Sequence, residues 1–180
     1  MAICPRSRHL LVGTDGSGVS FFSQEGDPRE DRNLVPATGT SIGKQIGIAI
    51  GLDGTIVLSS TEGLQAFKIT GESTGIVFAD STSRWSSDVG VSPDGCIVIP
   101  VKDPTYPRLP RISVYSSTGH VLQYIGSDGD SSVREVDALS SLTVDAKGTV
   151  WFTRGSSSNT DHPRCTIHTL EVREFWTILG

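Results

Sequence analysis

Long apolar runs, clustered cysteines and an excess of positive charge are all missing from this sequence. The most apolar short stretch, residues 46–52, is far below the roughly 20 residues that a membrane helix needs, and the N-terminus lacks the apolar core of a signal peptide. The three cysteines, Cys4, Cys96 and Cys165, form neither a CxxC pair nor a disulfide framework. We therefore expect a cytoplasmic protein without membrane segments, whose cysteines are reduced.

The charge balance disfavours general nucleic-acid binding. With 20 acidic and 15 basic residues the net charge is -5, whereas a protein that neutralises many phosphates usually has the opposite balance. The four histidines are scattered, and no HExxH, GxSxG or P-loop pattern occurs. The sequence therefore favours a binding module over an enzyme, and it identifies no catalytic residue.

Helical periodicity is almost absent, and short β-type runs that meet at a turn recur instead. Two series of turn glycines recur at intervals of roughly 40 to 50 residues, the range typical of propellers and other arrays. The first series is Gly54, Gly95 and Gly148, and the second is Gly26, Gly71 and Gly119. The aspartates beside the first series, at Asp53, Asp94 and Asp145, are expected to bind backbone amides of the turns.

These repeats predict an all-β fold of β-propeller blades, each of four antiparallel strands, in about four units of which the first is incomplete. Residues 1–180 form one domain, with units at approximately 9–27, 46–78, 87–126 and 140–180. A sheet of this size cannot bury both faces alone, so neighbouring sheets must stack on it. A β-sandwich or an ordinary barrel is the alternative. Trp85, Trp151 and Trp176 are expected to pack between blades. For Trp85, which lies in a linking segment, contact with a ligand or a cover over the core is the alternative.

Two stretches resemble a known repeat family. DALSSLTVDAKGTVWFTRG, at 137–155, resembles the NHL repeat, and RISVYSSTGHVLQYIGSDGDSSV, at 111–133, resembles its continuation. The GTVWFT run at 148–153 is similar to one in the gluconolactonase-like hydrolases and the streptogramin B lyases, which are related propellers. The resemblance implies a propeller fold, and it leaves open a metal-dependent hydrolase or lyase as the alternative function.

The number of units departs from that family, whose propellers are commonly six-bladed. Three full units and one partial unit are present, and residues 9–27 match a repeat without its first strand. Three explanations stay open: a fragment, an open arc of blades, or a homo-oligomer in which a second chain completes the ring.

The longest connections are expected at one rim of the blades, where binding usually resides. Two of them, 102–111 and 154–164, are basic and contain an aromatic residue or prolines that stiffen the chain. The candidate binding residues are Lys102, Tyr106, Arg108, Arg111, Arg154, His162 and Arg164. We predict that this rim binds an acidic protein or peptide. Solvated hairpin tips without a partner are the alternative, and the acidic link 128–137 argues against RNA.

No cofactor is expected from the motifs. The segments DGSG, at 15–18, and SDGD, at 127–130, are the candidates for loose Ca²⁺ binding, but neither has the full EF-hand spacing.

Overall fold

The chain folds into four antiparallel β-sheets that follow one another in sequence. The computed structural model describes residues 1–14, 18–30, 33–36, 41–43, 45–60, 63–78, 84–85, 88–102, 110–125, 139–155 and 165–171. Within these ranges there is no helix, so none of them forms the long apolar helix that crosses a membrane. The predicted all-β class is confirmed.

Sheets 1 and 2 contain three and four strands. In sheet 1 the order is β1 (Ala2–Ile3), β2 (Leu10–Thr14) and β3 (Gly18–Phe22). In sheet 2 the order is β4 (Gln45–Ile50), β5 (Ile56–Ser60), β6 (Gly63–Phe67) and β7 (Ser73–Phe78). Each strand pairs with the next along the chain, which is the meander expected from the recurring tight turns.

Sheets 3 and 4 repeat this pattern. Sheet 3 contains β8 (Arg84–Trp85), β9 (Gly90–Val91), β10 (Ile97–Lys102), β11 (Pro110–Tyr115) and β12 (Val121–Ile125). Both β8 and β9 pair with β10, so together they take the place of one first strand. Sheet 4 contains β13 (Leu139–Val144), β14 (Thr149–Gly155) and β15 (Cys165–Glu171) in that order. The predicted fourth strand, at 174–180, lies outside the described residues.

The first unit starts earlier than the sequence predicts. Residues 9–27 are expected to lack a first strand, but Ala2 and Ile3 pair with Leu11 and Leu10 of β2. That expectation is wrong, because a two-residue strand is too short to show an alternating pattern and its turn has Arg8, at φ 54°, where other turns have glycine. Sheet 1 is smaller at its other edge, where Pro28 makes only an isolated bridge to Phe22.

Six hairpin turns share one hydrogen-bond pattern. In each, the first residue of a five-residue segment donates its N–H to the carbonyl of the fifth, and the N–H of the fourth returns to the carbonyl of the first. The fourth residue is always a glycine with φ between 82° and 95°, which is the three-residue loop closed by a left-handed glycine. The segments are 23–27, 51–55, 68–72, 92–96, 116–120 and 145–149. Both predicted glycine series thus have one structural cause.

The sheets stack face to face in chain order. In sheet 2, Ile56 and Leu58 pack against sheet 1, whereas Val57 between them packs against sheet 3. Sheet 3 repeats the alternation, since Ile97 packs against sheet 2 and Val98 against sheet 4. We call the face toward the preceding sheet face A and the face toward the following sheet face B. Sheets 2 and 3 are therefore buried on both faces, as the apolar residues on both sides of their strands indicate.

The first strands of neighbouring sheets contact one another. Strand β1 contacts β4, β4 contacts β9, and β9 contacts β13. Gly90 permits one such approach, because a Cβ atom there would lie 2.6 Å from Cγ2 of Val144. The first strands of the four sheets thus lie side by side.

Candidate binding site

The two ends of the sheets differ in their connections. The tight turns of neighbouring sheets lie close together at one end. A Cβ atom at Gly148 would be 3.9 Å from Cδ of Pro93, and one at Gly51 would be 3.2 Å from Cγ1 of Val91. Strands 2 and 3 of each sheet are joined at the opposite end. There β10 ends at Lys102 and β11 begins at Pro110, while β14 ends at Gly155 and β15 begins at Cys165. We call this end the loop rim.

The candidate binding residues fall partly within the described chain. Lys102, Arg111 and Arg154 occupy strand positions at the loop rim, where Val101 pairs with Arg111 and Arg154 pairs with Thr166. For these three residues the structure describes the backbone. The remaining candidates lie outside the described residues: Tyr106, Arg108, His162 and Arg164. Both calcium candidates, DGSG and SDGD, also fall mainly on undescribed residues.

The tight-turn end carries mostly negative charge. Carboxylates occur in five of the six shared turns, at Glu25, Asp27, Asp53, Glu72, Asp94 and Asp145, against two lysines, Lys68 and Lys147. Lys68 is moreover paired with Glu72, with Nζ 3.1 Å from Oε2. The described tight turns therefore disfavour an acidic ligand.

The turn aspartates are used within the turns. Asp53 accepts the backbone N–H of Thr55 at 2.9 Å and its hydroxyl at 2.7 Å. Asp145 accepts the backbone N–H groups of Lys147 at 2.8 Å and of Thr149 at 2.9 Å. The predicted role is confirmed for these two residues. Asp94 differs, because its carboxylate accepts hydrogen bonds from the Ser92 hydroxyl and, at 3.5 Å, from the thiol of Cys96.

The pKa values of Asp145 and Cys96 are shifted by their surroundings in the turns. The indole N–H of Trp151 donates to Asp145 at 3.1 Å, and this bond, with the two backbone donors, lowers the pKa of the Asp145 carboxyl. Burial, and then the charge of Asp94, raises the pKa of the Cys96 thiol to about 11. The Cys96 thiol is therefore protonated at neutral pH and poorly nucleophilic.

A polar contact joins sheets 3 and 4 near the loop rim. Asp88, just before β9, accepts hydrogen bonds from the hydroxyl of Ser141 and, at 3.4 Å, from the backbone N–H of Leu142. Ser141 and Leu142 belong to the first strand of sheet 4, so this carboxylate joins sheets 3 and 4. Among the described residues, no group of three or more His, Cys, Asp or Glu side chains is placed to hold a metal ion.

Two exposed faces were not identified from the sequence. Face B of sheet 4 carries Trp151, which is 41% exposed, and Ile167, which is 70% exposed. Face A of sheet 1 carries Ile3, which is 62% exposed, beside the half-buried Leu10 and Phe22. Trp151 is expected to pack between blades, yet among the described sheets none covers it. The turn glycines alone do not reveal this exposure, because they align Trp151 with positions that are buried in sheets 2 and 3.

Comparison with known proteins supports the fold and no more. No protein-family model matches the chain, and no curated protein matches it. A crystal structure of a protein of unknown function from Bacteroides caccae is similar, with a TM-score of 0.52 and 16% sequence identity. The match covers 91% of this chain and 57% of that protein, so the chain spans less than two thirds of its length. A likeness at this identity concerns the fold alone.

Proposed function

We propose that the four sheets are blades of an NHL-like β-propeller, and that the loop rim binds an acidic segment of a protein or peptide partner. The observation that carries this proposal is the common edge at which β10 and β14 end and β11 and β15 begin. Both basic connections start and finish at that edge. Long loops on a rigid scaffold are the usual location of binding residues.

The architecture is supported by the repetition of the sheet and by its packing. Each sheet is a meander that presents one face to the preceding sheet and the other to the following one. The first strands of neighbouring sheets also contact one another. Face-to-face stacking of four-stranded meanders, with the first strands side by side, is consistent with propeller blades arranged around an axis.

The chemistry of the loop rim suits a carboxylate-rich ligand. Arginine presents a planar fork of donors that binds carboxylates in a bidentate manner. Arg108 and Arg111 lie three residues apart, with Leu109 and Pro110 between them. Tyr106 adds an aromatic surface, and the prolines of 103–110 reduce the entropy that the loop loses on binding. Because the described tight turns are negatively charged, they repel a negatively charged ligand, and this favours its binding at the loop rim.

The test is a binding titration with a fluorescein-labelled oligoglutamate peptide, followed by fluorescence anisotropy. We expect the double variant Arg108→Ala, Arg111→Ala to bind about tenfold more weakly, because each exposed ion pair contributes up to about 1 kcal/mol. The matched control is Lys68→Ala with Lys147→Ala, which removes two positive charges at the tight-turn end. It leaves the affinity unchanged if the peptide binds at the loop rim.

Two results would count against the proposal. One is equal affinity of the wild type and the arginine variant for oligoglutamate. The other is tighter binding of a single-stranded oligouridylate than of oligoglutamate, which would assign the loop rim to RNA. No contact among the described residues favours the alternative function, a metal-dependent hydrolase or lyase.

A further inference from the structure

The first step concerns equivalent positions in the three later sheets. Counting from the left-handed turn glycine, Val57, Val98 and Trp151 each lie three residues after it. Val57 and Val98 are fully buried, each against the following sheet. Trp151 points to the same side of its sheet, because the preceding Val150 packs against sheet 3. Trp151 therefore occupies a position that the following sheet covers in sheets 2 and 3.

The neighbouring strand shows the same relationship. Two residues after Val57, Val98 and Trp151, each second strand pairs with a residue of the third strand. These partners are Leu64 in sheet 2, Ile112 in sheet 3 and Ile167 in sheet 4. Leu64 is 0% exposed and Ile112 is 5% exposed, and both belong to the core between sheets. Ile167 is 70% exposed. Face B of sheet 4 thus has the residues of an inter-sheet interface, but no described sheet packs on it.

The complementary half is present at the other end of the stack. Leu10 pairs with Phe22 in sheet 1 at the positions that Ile56 and Phe67 take in sheet 2. Ile56 and Phe67 are fully buried against sheet 1. Leu10 and Phe22 are only half-buried, and Ile3 beside them is largely exposed. Face A of sheet 1 therefore corresponds to the face of sheet 2 that face B of sheet 1 covers.

We propose that face B of sheet 4 packs on face A of sheet 1 of a second copy of this chain. This contact continues the three inter-sheet interfaces within the chain, with the same two faces in the same order. It is a head-to-tail contact, and such contacts leave free ends unless the assembly closes into a ring. Two copies supply eight sheets, which lies within the range of four to eight blades found in propellers. The closed assembly is a dimer with two equal interfaces.

The assembly is tested by the molar mass in solution, measured by sedimentation equilibrium over a series of concentrations. The wild type is expected at twice the 19.2 kDa of one chain. Ile167→Lys and Ile3→Lys each place a charge in both interfaces, so each is expected to sediment as a monomer. The control is Leu122→Lys on β12, a residue 45% exposed on the outer strand of sheet 3, which stays dimeric.

Mixing the variants tests the head-to-tail arrangement. A copy with Ile167→Lys keeps face A, and a copy with Ile3→Lys keeps face B, so an equimolar mixture has one intact interface and re-forms dimers more weakly than the wild type. Both positions are largely exposed, so lysine is compatible with the folded chain, and circular dichroism checks this. Thr169→Lys, on the same face and exposed, is the substitute for Ile167→Lys and is expected to dissociate the dimer equally.

Three results would overturn the inference. A wild type that is monomeric at every concentration would assign face B to another occupant, such as further sheets of a longer polypeptide. A dimer that Ile167→Lys, Thr169→Lys and Ile3→Lys leave intact would place the contact elsewhere. A mixture that fails to associate would exclude the head-to-tail arrangement. The measurement is independent of peptide binding at the loop rim, which can fail or succeed by itself.

Discussion

Val57 and Trp151 occupy the same position in their sheets, but Val57 is 0% exposed and Trp151 is 41% exposed. Each lies three residues after the left-handed glycine of its hairpin, Gly54 and Gly148. The difference arises because a following sheet covers Val57, whereas no described sheet follows sheet 4. Equivalent local structure thus leads to different burial, depending only on the neighbour.

The turn glycines provide a test of the shared hairpin geometry. Gly26 and Gly71 have φ values of 91° and 95°, so alanine at either position costs about 1–2 kcal/mol for a left-handed backbone. A Cβ atom at Gly26 meets nothing within 4 Å, whereas one at Gly71 overlaps the carbonyl oxygen of Asn33. Gly71→Ala is therefore expected to lower the free energy of unfolding more than Gly26→Ala. Urea denaturation measures both, and equal losses would contradict the packing of residue 33 against the turn.

Trp151→Phe is expected to raise the pKa of Asp145. The substitution removes the indole N–H, the strongest of the contacts that lower this pKa. A carboxyl whose pKa is lowered by folding stabilises the protein above its ordinary value of 3.8 and loses that contribution as the pH falls through the folded pKa. The variant should therefore show a smaller loss of stability on acidification. NMR titration of the carboxyl carbon measures the pKa directly, and an unchanged value would show that the bond is absent in solution.

The thiol of Cys96 should react with iodoacetamide only at high pH. With a pKa of about 11, its alkylation rate is expected to rise about tenfold for each pH unit through pH 10, rather than to level off near 9. Asp94→Asn removes the nearby negative charge and shifts this rise to lower pH. Asp145→Asn, at the corresponding turn of sheet 4, is the matched control. Peptide-resolved mass spectrometry separates Cys96 from the other cysteines, and identical profiles for Asp94→Asn and wild type would exclude the electrostatic cause.

Much of the fold could be predicted because its signals are local. Tight turns with left-handed glycines require particular residues at particular spacings, so Gly54 and Gly95 marked their hairpins clearly. The strand Ala2–Ile3 was missed since two residues cannot show alternation, and its turn uses Arg8 instead of glycine. The pairing of β8 with β10 could not be predicted either, because a strand of two residues shows no alternation of its own and is recognised only by its pairing.

The candidate site was predictable only in part. Sequence alone indicated which connections are long and basic, and the strand ends at Lys102 and Gly155 agree with their grouping at one end. Exposure at Trp151 and Ile167 could not be inferred from composition, because a tryptophan or isoleucine in a β-strand is usually buried. That exposure depends on which sheet comes next, and this is a property of the assembly rather than of the strand.

The most direct test of the stacking order is a pair of double-mutant cycles measured by urea denaturation. Val98 and Val150 share the core between sheets 3 and 4, whereas Val57 lies between sheets 2 and 3. Val98→Ala combined with Val150→Ala is expected to show a coupling energy of about 1 kcal/mol, and Val57→Ala combined with Val150→Ala a coupling below about 0.5 kcal/mol. Additive effects of the first pair, or equal coupling in both pairs, would contradict the face-to-face stacking of the four sheets in chain order.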